Sequence, residues 1–205
     1  MNTFLKLPSF LFHPLFMPVL GVLGVYLFLP LAVAKITILS ELVLVAFLTI
    51  VVPLLFLLLL KKMNLIASLH LKKVKERKLP VLFFTCIAAF IINFIFTPAS
   101  NQLFFYFFSG VFFSGILASV FTVLNFKVSL HMIGLSGLST FLLFMLGSFH
   151  PSNVFYLSFF ILLLSWLASS RIYMKAHLAR ELLVGTIIGI LPQFYFFYNF
   201  SSWLN

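Results

Sequence analysis

Residues 42–60 read LVLVAFLTIVVPLLFLLLL, and the basic pair Lys61-Lys62 follows directly. A helix needs about 20 consecutive apolar residues to cross the hydrocarbon core of a bilayer. Apart from Thr49, this run contains no polar side chain. Lysines are typical of the point where a span meets the aqueous surface. The stretch therefore predicts a transmembrane helix that ends near Lys61.

Four more uncharged runs surround this one, and they cover residues 7–34, 79–126, 128–170 and 182–205. The second and third of these runs are too long for one crossing. Each contains a turn-rich cluster, PASNQ at 98–102 and GSFHPSN at 147–153. The sequence thus predicts an all-α fold, a polytopic membrane helix bundle of six or seven transmembrane helices. The seven predicted spans are about 9–33, 38–60, 80–97, 103–125, 129–147, 153–169 and 182–200.

We find no internal repeat, linker or shift in composition, so we predict a single integral membrane domain over residues 1–205. The first apolar run is too long for the hydrophobic region of a secretion signal, which favours a retained helix. Pro14 and Pro18 lie within this run. Because proline lacks the N–H that a helix needs, we expect them to kink the first helix or to delay its start.

The charges are few and strongly basic, with 13 Lys and Arg against 3 Glu, no Asp, and a formal net charge of +10. In a soluble protein this balance would suggest nucleic acid. Here the basic residues lie in short segments between apolar runs, so anionic lipid head groups or phosphate substrates are the expected partners, and no nucleic acid is.

The seven predicted crossings divide these basic residues unequally between the two membrane faces. If the N-terminus lies on a face that we name side A, side B receives Lys35 alone. The positive-inside rule then places side A in the cytoplasm. Side A receives twelve basic residues, namely Lys6, Lys61, Lys62, Lys72, Lys73, Lys75, Arg77, Lys78, Lys127, Arg171, Lys175 and Arg180.

Three segments on side A carry groups that a membrane helix would not ordinarily hold: 72–80, 127–131 and 170–181. In the last segment His177 and Glu181 are four residues apart, so in a helix they share a face. The carboxylate could then accept a hydrogen bond from the imidazole and leave the other ring nitrogen free to attack or to take a proton. The planar guanidinium of Arg171 suits phosphate oxygens. The alternative is that the basic residues of this segment are interfacial anchors and that Glu181 is only their partner.

His131 places a second imidazole at the same depth, beside Ser129 and the first N–H groups of the fifth predicted span. Such a helix N-terminus favours anions, since its N–H groups are unpaired and its dipole end is positive. A lone histidine there would be read as an interfacial or capping residue. Two histidines and the arginines on one face indicate instead phosphoryl transfer that needs no metal and no cofactor.

These residues resemble the signature blocks of the type 2 phosphatidic acid phosphatase superfamily, which includes vanadium haloperoxidases. Ser170-Arg171-x5-His177-x3-Glu181 resembles the third block, Ser-Arg-x5-His-x3-Asp. Val128-Ser129-Leu130-His131 resembles the second, Pro-Ser-Gly-His. Arg77 followed by Lys78-Leu79-Pro80 is a loose echo of the first block, Lys-x6-Arg-Pro, in which His70 stands in place of the Lys. The resemblance extends from Lys72 to Glu181, and the motif-bearing core covers about 72–200.

The chain departs from this pattern at several positions. Glu181 replaces Asp, which lengthens the side chain by one methylene, while Val128 and Leu130 replace Pro and Gly. Two additional spans separate the first and second blocks. Such departures would be typical of a divergent member of the superfamily. The alternative is a branch that has lost phosphatase activity.

The resemblance implies a metal-independent lipid phosphatase of the bacterial inner membrane that works through a phosphohistidine. His177 would attack phosphorus and Glu181 would orient it. His131 would protonate the leaving oxygen and then activate water. The phosphoryl oxygens would be held by Arg77, Arg171, the N–H groups around Ser129, and Lys72 or Lys73.

Two other functions stay open at this stage. One is a phospholipid- or prenyl-phosphate-binding or transport protein without turnover, and the other is a structural or assembly protein with a basic anchoring face. The absence of Asp argues against prenyltransferases that hold diphosphate through magnesium and aspartate pairs. Phosphatidic acid, phosphatidylglycerophosphate, a prenyl phosphate and a lipid A phosphate all fit an anionic head beside the bilayer.

Overall fold

The computed structural model describes residues 3–28, 33–71, 73–149 and 154–204, which form helices and connecting turns without any strand. The all-α prediction is therefore confirmed. In chain order the helices are α1 (Thr3–Leu11), α2 (Met17–Phe28), α3 (Lys35–Lys62), α4 (Val74–Ile95), α5 (Gln102–Val123), α6 (Leu130–Phe149), α7 (Val154–Tyr173) and α8 (Ala179–Leu204).

Helices α3 to α8 are each long and apolar enough to cross a membrane. The chain is thus a multi-pass membrane protein with six candidate spans, or seven if α1 and α2 form one broken span. The break falls at Phe12 and His13, directly before Pro14, and bends the pair by 43°. Proline at this point cannot donate the N–H that would continue α1, as the sequence predicts.

Helix α6 is the centre of the bundle. In the apolar 18-residue stretch of α6 that could cross the membrane, 61% of the residues are buried, whereas the value is 17% in α3 and in α7. Helices α3 and α7 therefore present most of their surface to lipid. Aromatic side chains fill the interior, and Phe107 lies 4.4 Å from Phe141 between ring centroids. The 30 phenylalanines therefore serve the protein interior as well as the lipid-facing surface.

Small residues let α8 approach α6 closely, an arrangement common between membrane helices. A Cβ atom added to Gly189 would lie 2.1 Å from Ser136 Oγ and 2.4 Å from the carbonyl oxygen of Ile133. One added to Gly137, on the facing helix, would meet its nearest atom at 3.4 Å, which is ordinary van der Waals contact. The two glycines thus face the same interface with very different clearance.

We expect Gly189→Ala to lower the free energy of unfolding by about 1–3 kcal/mol, because a backbone carbonyl must move to admit the new methyl group. Gly137→Ala is the matched control, since it adds a methyl to the same interface without a clash and should be neutral or slightly stabilising. Unfolding of the purified proteins in a denaturing detergent would measure both. Equal stability of the two variants would contradict the close contact between α6 and α8.

The broken N-terminal pair packs across the bundle at side A. Phe4 and Phe12 both contact the ring of Trp166, while Ser9 Oγ lies 2.7 Å from Ser170 Oγ, so α1 crosses α7 near its C-terminal end. Helix α2 then runs along α6, with Gly24 against Leu142. The N-terminal segment is therefore part of the structure around the predicted site.

Two of the polar segments on side A are only partly helical. Helix α3 continues to Lys62 and α4 begins at Val74, so Arg77 lies on a helix. In the segment 170–181, α7 ends at Tyr173 and α8 begins at Ala179, with Lys175 in the left-handed region at φ 51°. His177 therefore lies in the turn between these two helices.

Candidate functional site at the side A ends of the helices

Tight helix ends position the residues of the site. At the end of α7, Lys175 N–H donates to the carbonyl of Ile172 and Ala176 N–H donates to that of Arg171. These two bonds are those of a Schellman cap, which turns the chain sharply at a left-handed residue. Asn125, at φ 58°, ends α5 in the same way. The caps bring the starts of α6 and α8 together, and the N–H of Ser129 donates to the carbonyl of Glu181 at 3.3 Å.

The turn before α8 holds a buried imidazole and carboxylate pair. His177 Nδ1 lies 2.7 Å from Glu181 Oε2, and the side chain of His177 is only 1% exposed. Although the helix does not extend back to His177, the chain still forms the bond that the four-residue spacing predicts. The same carboxylate oxygen accepts the N–H of Leu178 at 3.3 Å, which fixes its orientation.

This hydrogen bond determines the tautomer of His177. A carboxylate accepts but does not donate, so Nδ1 carries the proton and Nε2 has a free lone pair. Burial above all, and then the positive charges of Arg77, Arg171 and Lys127, together lower the pKa of His177 to about 3. The contact is thus a neutral imidazole N–H bonded to a carboxylate, and the ring is unprotonated at neutral pH.

Arg77 is buried on the first turns of α4. Its Nε donates to the carbonyl of Leu71 and its Nη1 to that of Val128, each at 2.9 Å. The guanidinium therefore ties the preceding loop to the residues just before α6. It lies within electrostatic range of His177, but two of its three nitrogens already have backbone partners.

Ser129 and His131 occupy the start of α6. Ser129 is fully buried, and its Oγ accepts the N–H of Met132 as an N-terminal cap. Its own N–H is taken by the carbonyl of Glu181, so of the N–H groups around Ser129 that were predicted to hold phosphoryl oxygens, this one already has a partner. His131 Nε2 lies 3.1 Å from the carbonyl oxygen of Ser9 on α1. The resemblance did not include this N-terminal contact.

Arg171, on the last turn of α7, also meets Ser9. Its Nη1 donates to Ser9 Oγ at 3.2 Å, while its Nε is buried without a hydrogen-bond partner among the described residues. A buried donor without a partner is costly, and sites that bind an anion are one place where such donors persist. Through its carbonyl and its hydroxyl, Ser9 thus offers one oxygen to His131 and one to Arg171.

Lys127 is a site residue that the sequence did not single out. Its Nζ donates to the carbonyl of Ala176 at 2.8 Å, directly before His177. Burial lowers the pKa of Lys127, the charges of Arg77 and Arg171 also lower it, and Glu181 opposes the shift. Lys127 stands directly before the second block and on side A, and this position in the sequence could have identified it as a site residue.

The predicted residues therefore divide into three groups. His177 and Glu181 are bonded to each other, Ser129 is bonded to Glu181, and His131 and Arg171 both contact Ser9. Arg77 is within electrostatic range of His177. Lys73 is exposed at the start of α4, and no contact within the described part of the chain links it to the histidines. Lys72 lies outside the described residues. Lys73 is therefore not brought to the site, whereas Lys127, Ser9 and His13 are.

Within residues 3–28, 33–71, 73–149 and 154–204, no group of three or more His, Cys, Asp or Glu side chains is placed to hold a metal ion. No protein-family model matches the chain, and neither the curated proteins nor the solved structures include a match. The geometry itself defines a buried imidazole and carboxylate pair, surrounded by cations, where the ends of membrane helices meet.

Proposed function

We propose that the protein is a lipid phosphatase that hydrolyses a phosphomonoester or diphosphate on a membrane lipid through a phosphohistidine at His177. One observation carries this proposal. Three cations, Arg77, Arg171 and Lys127, lie within electrostatic range of a neutral buried imidazole, with Glu181 as the carboxylate among them. Cations held together out of water repel one another, and a bound anion would relieve this repulsion.

The charge balance suits a phosphomonoester. Three cations and one carboxylate leave a formal excess of two positive charges around His177, which equals the charge of a phosphomonoester dianion in magnitude. The helices that carry these residues are long enough to cross a membrane, so the head group would meet the site while its tail stays among apolar helices. A lipid is therefore a better fit than a water-soluble phosphate ester.

The proposed reaction has two steps. First, Nε2 of His177 attacks phosphorus, a P–N bond forms, and the P–O bond to the lipid breaks. Glu181 stabilises the imidazolium that develops, and His131 in its protonated form gives a proton to the leaving oxygen. Next, His131 takes a proton from water, which attacks the phosphohistidine and releases inorganic phosphate. Arg171 and Lys127 stabilise the charge on the transferred group.

We infer the membrane face from the distribution of basic residues along the sequence. We place the site at the side A surface of a bacterial inner membrane, and twelve basic residues against one favour the cytoplasm for side A. A single cysteine placed in the segment 63–71, with Cys86 replaced, would test this. Strong labelling of intact cells by an impermeant thiol reagent would place side A outside.

We expect the purified protein to release inorganic phosphate from at least one member of a lipid panel containing phosphatidic acid, phosphatidylglycerophosphate and a prenyl phosphate. Release should persist in a chelator, because the proposed steps use only side chains. Vanadate should inhibit it, since vanadate imitates five-coordinate phosphorus. Strict dependence on an added divalent metal would contradict the proposal.

A second function is favoured by one specific contact. Since Arg77 already donates two hydrogen bonds to backbone carbonyls, its part in stabilising a transition state is reduced. A protein that binds phosphorylated lipids without turnover would be consistent with this. Saturable binding of phosphatidic acid in vesicles, with no phosphate released from any lipid of the panel, would select that function.

A further inference from the structure

The break between α1 and α2 lies inside an apolar segment that is otherwise helical. Backbone groups that leave a helix at membrane depth need partners, so such breaks occur where the chain is buried in protein or lines a polar site. In membrane transporters the broken helices mark the binding site itself. Here the break places His13, in extended conformation at ψ 136°, directly before the turn Pro14–Phe16.

His13 lies beside the residues of the site. Its ring centroid is 5.4 Å from that of His131, in an edge-to-face arrangement. Arg171 is within electrostatic range of both imidazoles. His13, at the break between α1 and α2, and His131, at the start of α6, therefore lie together near Arg171. The Nε of this arginine is buried without a hydrogen-bond partner among the described residues.

The backbone fixes the tautomer of His13. Its Nδ1 accepts the N–H of Leu15 at 3.4 Å, so in the neutral ring the proton is on Nε2. No partner of this Nε2–H is found among the described residues. The imidazole that lies beside His131 is therefore held in place by the backbone and has an N–H donor that is not yet used.

His131 is in the opposite situation. Its Nε2 lies 3.1 Å from the carbonyl oxygen of Ser9, which can only accept. The Nε2–H of His131 is therefore already used by α1, and Nδ1 is the nitrogen left for the acid and base steps proposed above. The Nε2–H of His13, in contrast, is available to a further oxygen of a ligand without first breaking a protein hydrogen bond.

We propose that His13 is a further substrate-contacting residue, which donates its Nε2–H to an oxygen of the phosphoryl group bound beside Arg171. This inference rests on the proposed function, since it assigns a residue to the same site. It extends that site to the N-terminal segment, outside the region that resembles the phosphatase blocks. The phosphoryl group would then be held between α1, α6 and α7.

Two substitutions separate this role from a structural one. In His13→Asn the short amide can still accept the N–H of Leu15 and cap the turn, but it has no donor at the position of Nε2. In His13→Gln the longer amide can place an N–H near that position. Both proteins should fold with the unfolding temperature of the wild type. A variant that fails to fold would indicate a structural role.

We expect His13→Asn to lower kcat/KM for phosphatidic acid about 10- to 100-fold, the effect of losing a hydrogen bond to a charged group. His13→Gln should recover most of that loss. His150→Ala is the control and should retain wild-type activity, because the seven predicted crossings put residue 150 on side B. A kcat/KM for His13→Asn within about twofold of the wild type would overturn the proposal.

A second measurement does not depend on turnover. Diethyl pyrocarbonate modifies imidazoles, and mass spectrometry reports each site separately. Inorganic phosphate at saturating concentration, against sodium chloride of the same ionic strength, should slow modification of His13 but not of His150. Modification of His13 that phosphate leaves unchanged would overturn the proposal. Protection of His13 in a protein that hydrolyses no lipid would keep this inference while refuting the phosphatase.

Discussion

Replacing His177 with asparagine should abolish phosphate release while leaving the protein folded. His177 is the proposed nucleophile, and asparagine can still donate to Glu181 through its amide but offers no lone pair of comparable basicity. A nucleophile that forms a covalent intermediate has no substitute among its neighbours, so we expect a loss of at least about 1000-fold in kcat. Phosphate release from lipid micelles would measure the effect.

The pH dependence gives a second check on the same residue. Because burial and the nearby cations hold the pKa of His177 at about 3, the ring of the unliganded protein is neutral at every pH well above that value. A lowered pKa keeps His177 in the neutral form that attacks, so lowering the pH toward 5 does not remove this form. Protonation of His177 should therefore produce no acid limb in kcat/KM above about pH 5. Wild-type turnover by a folded His177→Asn protein would eliminate this mechanism.

Glu181→Gln should give the second large effect, a fall of about 100- to 1000-fold in kcat with a small change in KM. The amide oxygen can still accept the Nδ1–H of His177, so the ring keeps its orientation in the ground state. What is lost is the negative charge that stabilises the imidazolium formed when His177 attacks. Because this charge develops only in the transition state, kcat should fall more than binding.

Glu76→Gln is the matched control for this prediction. Glu76 lies on the first turn of α4 and accepts only a weak bond, 3.4 Å from the N–H of Ala67. The same chemical change at this position should leave both kinetic constants near those of the wild type. If Glu181→Gln instead raised KM with kcat intact, the carboxylate would act in binding and not in the chemical step.

The helices of the bundle could be predicted from the sequence because apolar length alone determines what can cross a bilayer. The run 42–60 becomes part of α3, and the break predicted near 98–102 falls between α4 and α5. The break predicted at 147–153 lies largely outside the described residues. The residues at which the helices begin and end were less predictable. Helices continue past the apolar runs into charged residues such as Lys62 and Arg77, since hydropathy does not report where hydrogen bonds stop.

The pair His177 and Glu181 was predictable because its contact is local, and four residues of spacing nearly define it. Ser9 was not. Its partners Ser170 and Arg171 lie more than 160 positions away in the chain, and nothing in an apolar N-terminal run indicates which helix it will cross. Arg77 was assigned to a ligand, but its guanidinium mainly binds backbone carbonyls, whose positions depend on the packed helix ends.

The contact of Ser9 with Arg171 and His131 has a consequence for discrimination among lipids. A head group that enters between Arg171 and His131 displaces Ser9. Its hydrogen bonds replace those of Ser9, so the number of hydrogen bonds hardly changes and contributes little to binding. Negative charge is what Ser9 does not provide, since its carbonyl and hydroxyl oxygens are neutral. An uncharged head group therefore has no advantage over the resident serine, and the single negative charge of a phosphodiester gives less advantage than the double charge of a phosphomonoester. The N-terminal helix would in this way favour phosphomonoesters over the phosphodiester lipids that surround the protein.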